Sequence, residues 1–183
     1  MKRGVLAVLA VGGSLMSCAL SAVAEEVTVE MHAISNAGVG AAIGTIKAMD
    51  TENGTVFQFA LSQYLLPGPH GFHLHENASC DPATKDGAMQ AGLAAGGHWD
   101  PENTGKHMGP AARGHKGDLP VIYVLVDDGG AIPYKGTLVA PYLKVADLKG
   151  RALVIHANGD NYADEPKPLG GGGARVACGL AAS

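Results

Sequence analysis

The chain has 183 residues, 13 Lys+Arg against 17 Asp+Glu, and a formal net charge of −4 at pH 7. That size indicates one domain, or at most two small ones, and the acidic balance argues against nucleic acid as a partner. With three cysteines and eight histidines in the chain, metal chemistry and disulfides are both open.

The first 24 residues read as a signal peptide rather than as part of the fold. Lys2 and Arg3 make a short basic start, Val5 to Val11 is an apolar run, and Ala22-Val23-Ala24 presents small residues for a signal peptidase. The apolar run is too short for a permanent membrane span. Cleavage after Ala24 leaves 159 residues, and losing Lys2 and Arg3 brings the balance to 11 against 17, a net charge of −6. Leu15-Met16-Ser17-Cys18 offers a competing lipoprotein signal at Cys18, but Met16 fits it poorly. In the exported chain Cys80 and Cys178 are then the only cysteines, and an even pair in an oxidising compartment reads as one disulfide.

From Glu25 onward, short runs with period-2 alternation follow one another: Val27 to Met31, Ile43 to Ile46, Val56 to Leu61 and Phe72 to His75. Val121 to Val126, Tyr134 to Val139, Ala152 to His156 and Arg175 to Leu180 complete the set. Asn53-Gly54, Pro67-Gly68-Pro69, Asp128-Gly129-Gly130 and Asn158-Gly159 separate them as turns. Eight strands so punctuated predict an all-β, eight-stranded β-barrel or sandwich. Only Leu143 to Leu148 reads as helical, for a turn or two.

Two long segments interrupt the strands, one from about Glu76 to Leu119 and one from Asn158 to Ala174. Loops of this length in a compact domain are usually functional. The first contains His98, His107, His115 and Asp118 among glycines and prolines, a complete tetrahedral ligand set for zinc with no position left for water. The second ends in Gly170-Gly171-Gly172-Gly173. That run lacks the strand–helix frame of a dinucleotide site, and marks either plain flexibility or backbone passing close to something.

Strand parity adds a second histidine set. In Phe72-His73-Leu74-His75 the apolar residues face the core and the two imidazoles stand together on the outer face; in Leu153-Val154-Ile155-His156 the same parity turns His156 outward. An all-imidazole outer-wall site suits copper, whose tetragonal preference leaves an open face. Three histidines equally suit a catalytic zinc with a water for hydrolysis, and spacing does not separate the two. His70, out of phase with this pair, reads as a hydrogen-bonded structural residue, and His32 as an exposed one.

Together GFHLH, GGHWDP, HKGDLP, VIHANGDN and GGGGARVACG, in this order and spread over the whole mature chain, resemble copper-zinc superoxide dismutase in its bacterial periplasmic branch. The resemblance implies a Greek-key barrel with two functional loops, copper on His73, His75, His98 and His156, and zinc on His98, His107, His115 and Asp118. It implies Asp160 as the carboxylate orienting one histidine of each set, and Arg175 as the cation that docks superoxide. The implied activity is dismutation of superoxide to dioxygen and hydrogen peroxide, with His98 shared by both metals and Lys85 or Lys106 adding to substrate attraction. A copper or zinc carrier with the same fold is the rival reading; Arg175, which cannot ligate a metal, speaks against it. Trp99 is bulkier than the resemblance leads one to expect and bears on loop packing. Nothing in the sequence separates a monomer from a homodimer.

Overall fold

A computed structural model describes residues 25–127 and 130–181. The segment expected to be a signal peptide, with Cys18, lies outside the described residues. Eight principal strands form one curled antiparallel sheet, an open half-barrel. β1 (Glu26–Ser35), β2 (Gly38–Thr51) and β3 (Gly54–Leu61) form a meander, and β4 (Gly68–His70) and β5 (Phe72–His75) are two halves of one strand broken at Gly71. The loop that follows contains the hairpin β6 (Ala83–Lys85) and β7 (Ala88–Gln90). Then come β8 (Ile122–Val124), the small pair β9 (Val126–Asp127) and β10 (Gly130–Ala131), β11 (Lys135–Ala140), β12 (Ala152–His156) and β13 (Arg175–Leu180).

The hydrogen-bonded order is β11-β3-β2-β1-β13-β12-β5, and β8 adds to β4 at the far edge. Sequence neighbours are therefore separated in space. β13, the last strand, lies between β1 and β12, the crossover expected of a Greek key. β8 and β11 are not hydrogen-bonded to each other, so the sheet does not close there.

Parity fills the interior as the alternation predicts. Val29, Met31, Phe57, Phe59, Leu61, Phe72, Leu74, Leu153 and Ile155 join one buried cluster. Phe72 meets Phe57 and Phe59 edge to face at 5.3 and 5.2 Å, a favoured aromatic geometry. Strict alternation fails in β2, where the register jumps between Met31↔Gly44 and His32↔Ala42. Ile43 is the extra residue of a bulge, and for that reason Ile43 and Ile46, three apart, both point inward. Gly44 is required beside it: its φ is +129°, and a Cβ would collide with the Ala60 carbonyl.

Two expectations change. The segment from Glu76 to Leu119 is not wholly irregular, since it contains the β6–β7 hairpin and a 3-10 turn at Leu93–Ala95. The helical stretch is a 3-10 turn, Val145–Leu148. The first loop folds back over the sheet's outer face, where Ile34, Cys80, Ala95, Ala152, Val154 and Cys178 make a second, smaller buried cluster. At its centre Cys80 and Cys178 form the expected disulfide, 98 residues apart in sequence.

That bond fastens the loop to β13. A crosslink over about a hundred residues contributes about 4–5 kcal/mol in the loop-entropy account. The double variant Cys80→Ser/Cys178→Ser should lose stability of that order in urea unfolding. Loss below about 1 kcal/mol would mean that the apolar cluster alone holds the loop.

Candidate metal centre

The outer face of β5 and β12 is where sequence and structure meet most informatively. His73 and His75 point away from the core, as parity requires, yet both are fully buried, and His156 is nearly so. The expectation that these rings stand on the outer face holds for the sheet but not for solvent exposure, because the two long loops roof this face. His98, bridged to His75 across the sheet edge, and Asp118, bridged to His73, bring the first loop in. Asp160 and the glycine run bring in the second.

Two ligand sets result, each with its donor atoms within 4.8 Å of one another: His73, His75, His98 and His156, and His98, His107, His115 and Asp118. His98 belongs to both. Its Nδ1 lies 2.9 Å from Asp118 Oδ1, leaving Nε2 for the first set. All seven residues proposed as ligands from the sequence are brought together.

The second nitrogen of most of these rings is anchored, which fixes the nitrogen left for a metal. His75 Nδ1 donates to the Gly96 carbonyl at 3.0 Å, and His156 Nδ1 to the Gly173 carbonyl at 3.2 Å. Their Nε2 atoms face each other at 3.3 Å. Asp160 accepts from His73 Nε2 and His107 Nε2, at 2.7 Å each, with its two oxygens. One buried carboxylate thus sets a ring in each ligand set, as the resemblance implied. These carbonyl anchors left no sequence signal, because any residue type supplies a backbone oxygen.

The donors fit cations better than they fit each other. His73 Nδ1 and His107 Nδ1 are buried without a hydrogen-bond partner, a costly state unless something else is bound there. His107 Nδ1 lies 2.9 Å from Asp118 Oδ1 but is not aligned for a hydrogen bond. Around that one oxygen stand three imidazole nitrogens, those of His98 and His107 at 2.9 Å and of His115 at 3.3 Å. Three nitrogens and an oxygen facing a common point are a zinc ligand set. Four imidazoles with neutral lone pairs suit copper.

Electrostatics agree. Burial, reinforced by neighbouring imidazoles, pushes His73 and His75 well below the usual histidine range. Burial also lowers His98, and His156 down to about 3. These rings offer unprotonated nitrogens at neutral pH. His107 behaves oppositely: burial lowers it, but Asp118 and Asp160 outweigh that and carry it up to about 9. Burial raises Asp118, yet the imidazoles of His107 and His98 against its carboxylate hold it well below the usual carboxylate range.

The glycine run passes close to the centre. A Cβ on Gly170, φ +69°, would strike Asp160 and His107, and one on Gly172 would crowd the His156 ring. Of the two readings of that run, close approach is the one observed. It leads into Arg175, whose guanidinium donates to the Gly92 and Gly96 carbonyls and lines a cleft of about 430 Å³ with His75, His98, His156 and Lys85. Lys106 is not on that cleft.

His70 has both ring nitrogens 2.7 Å from carbonyl oxygens, those of His156 and Leu66, and is structural. His32 is half-buried beside Glu30 and outside both sets. Trp99 packs against the core and under the Arg151 guanidinium, 4.0 Å from its ring centroid, with Lys116 at 5.0 Å. The bulky ring pins the first loop to the barrel.

Two substitutions test this geometry. His98→Ala should lower the occupancy of both metals, whereas His107→Ala should lower zinc alone; normal copper and zinc content in the His98 variant would remove the shared ligand. Asp160→Asn keeps the shape but can no longer accept from two rings. It should weaken zinc and copper binding by about 10–100-fold in chelator competition, and unchanged affinity for both would make Asp160 a turn residue only.

Comparison with known proteins adds the family. The model of the copper/zinc superoxide dismutase (SODC) family matches residues 42–181. The chain is 50% identical over 181 residues to superoxide dismutase [Cu-Zn] 2 of Salmonella typhimurium, covering 98% of this chain and 99% of that one. It is 48% identical to superoxide dismutase [Cu-Zn] of Escherichia coli, with the same coverage. Among solved structures, Cu/Zn superoxide dismutase from Brucella abortus superposes with a TM-score of 0.78 at 47% identity, covering 85% of this chain and 99% of that one. The monomeric copper, zinc superoxide dismutase from Salmonella enterica gives 0.73 at 50% identity, over 86% and 100%. With a family match across most of its length and these ligand sets in place, the chain belongs to the copper/zinc superoxide dismutases.

Proposed function

We propose that this protein dismutes superoxide, and the observation that carries the reading is His98, placed at once in both ligand sets. His73, His75, His98 and His156 would hold copper, which would supply one-electron chemistry between two superoxides, one oxidised to dioxygen and the other reduced and, with one proton from His98 and one from solvent, released as hydrogen peroxide. The side chains do the rest. His75 and His156 are oriented by carbonyls and His73 by Asp160, so the lone pairs are in place before substrate arrives. His98 Nε2 takes up a proton when it is free and passes it to the departing peroxide, while His98 Nδ1 stays in the zinc set. His107, His115 and Asp118 would hold zinc, which would not change oxidation state, and so would keep the loop and His98 in place.

Arg175 is assigned to substrate docking. It lies on the same cleft as three of the copper-set histidines, carries a charge that no working pH removes, and is bonded to carbonyls rather than to a carboxylate. Its positive charge therefore faces the anion unneutralised. A metal carrier has no use for such a group in its cleft.

The chain is further proposed to be exported to the periplasm, with cleavage after Ala24. Support comes from the basic start, the apolar run and Ala22-Val23-Ala24, together with a disulfide in the fold. Among the described residues no helix is long and apolar enough to cross a membrane.

Arg175→Ala should retain both metals, lose about an order of magnitude in dismutation rate and depend less on ionic strength. Arg175→Lys should recover much of the salt dependence, because it restores the charge without the fork. An alanine variant with unchanged rate and salt slope would exclude Arg175 from docking. N-terminal sequencing of periplasmic material should begin at Glu25; a lipid-modified Cys18 at the amino terminus would sink that assignment.

A further inference from the structure

A second cleft, of about 570 Å³, reaches the zinc set and shares no lining residue with the copper cleft. Pro101, Glu102, Ala112, Arg113, Lys116 and Tyr142 line it together with the zinc-set residues His115 and Asp118. We propose that this cleft is the path by which zinc enters and leaves, and that His115 is the ligand that releases first. The proposal rests on the assignment of His98, His107, His115 and Asp118 to zinc.

Two independent observations single out His115. Its side chain is 10% exposed, whereas those of His98, His107 and Asp118 are 0–2% exposed. Its ring is also weakly anchored: only His98 likewise has Asp118 as its single hydrogen-bond contact, and both ligand sets use His98. His73 and His107 are fixed from behind by Asp160, His75 by Gly96, and His156 by Gly173. Among the described residues, the only hydrogen-bond contact of the His115 ring is its Nδ1 to Asp118, the longest in the set at 3.3 Å. Nothing holds its other nitrogen.

An imidazole without an outer partner can rotate about its own side-chain bonds at little cost, since outer partners are what fix ring orientation. The backbone at His115 need not move, because its N–H is tied to the Lys106 carbonyl at 2.9 Å. Swinging this ring outward opens a three-ligand site to the cleft, which has room for a hydrated cation and the donor group of a chelator, a water occupying about 30 Å³. Zinc exchange is thereby separated from the substrate path, and the copper-set histidines need not part for it.

The test follows zinc transfer from the fully metallated protein to a chromogenic zinc chelator, with copper removal by a copper-selective chelator measured in parallel. Ala112→Trp, which narrows the second cleft, should slow zinc transfer by about an order of magnitude and leave copper removal unchanged. Tyr142→Ala, at a residue 62% exposed, should speed zinc transfer. Gln90→Trp, on the copper cleft, should leave zinc transfer as it is. Unchanged zinc transfer in the Ala112 variant, equal slowing of both metals, or slowing by Gln90→Trp would overturn the route. A wild-type protein that binds no zinc at all would instead overturn the ligand assignment beneath it.

Discussion

One buried carboxylate couples the two halves of the centre. Asp160 arrives on the second loop, its side chain fully buried, and accepts from His73 on β5 and His107 on the first loop. A charge taken this far from water is expensive unless it is paired, so the pairing cannot be partial. Once both rings are in place, three chain segments, with Asp160 lying 87 residues from His73 and 53 from His107, are fixed relative to one another. The nitrogens they turn inward, His73 Nδ1 and His107 Nδ1, are the two that have no partner. The structure concentrates unsatisfied donors where cations provide the missing bonds.

The barrel makes this possible by being rigid on one side only. The inner face of β5 and β12 is packed with Phe72, Leu74, Leu153 and Ile155, and the same strands present His73, His75 and His156 on the other face. Packing that fixes Leu74 also fixes the backbone on either side of it, so the ligands inherit the precision of the core. The loops are then secured at separate points: the disulfide, Trp99 under Arg151, and Arg175 across Gly92 and Gly96. Arg175 thus has two duties. It ties down the first loop and presents its charge to the cleft, and the lysine variant is informative because it separates the two.

The two clefts divide the work of the centre. One reaches His75, His98 and His156 beneath an arginine; the other reaches His115 and Asp118 between Pro101 and Tyr142. The contrast in anchoring follows the same division. On the substrate cleft His75 and His156 are held from behind by carbonyls, and His98 stands between the two ligand sets, while His115, whose other nitrogen belongs to neither set, lies on the other cleft. A centre in which every imidazole was locked would hold its metals well but give them no way in.

Much of this was legible in the chain itself. Alternation assigned faces, so the core residues of β3, β5 and β12 and the outward direction of their histidines followed from period 2 alone. Ligand chemistry and motif order named both metal sets, Asp160, Arg175 and the cysteine pair. What the sequence could not decide depended on contacts between distant segments. Burial of His73 and His75 required loops that start beyond Glu76 and beyond Asn158 to fold back over them. The bulge at Ile43 broke the alternation, the glycine run resolved into close approach to Asp160, His107 and His156, and the carbonyls of Gly92, Gly96 and Gly173 became anchors only once the loops were placed. Local sequence carries the periodicity of a strand and the type of a ligand, because both are properties of residues. Which nitrogen is anchored, and which ligand is left free to move, are properties of the space between segments, and only the tertiary structure fixes them.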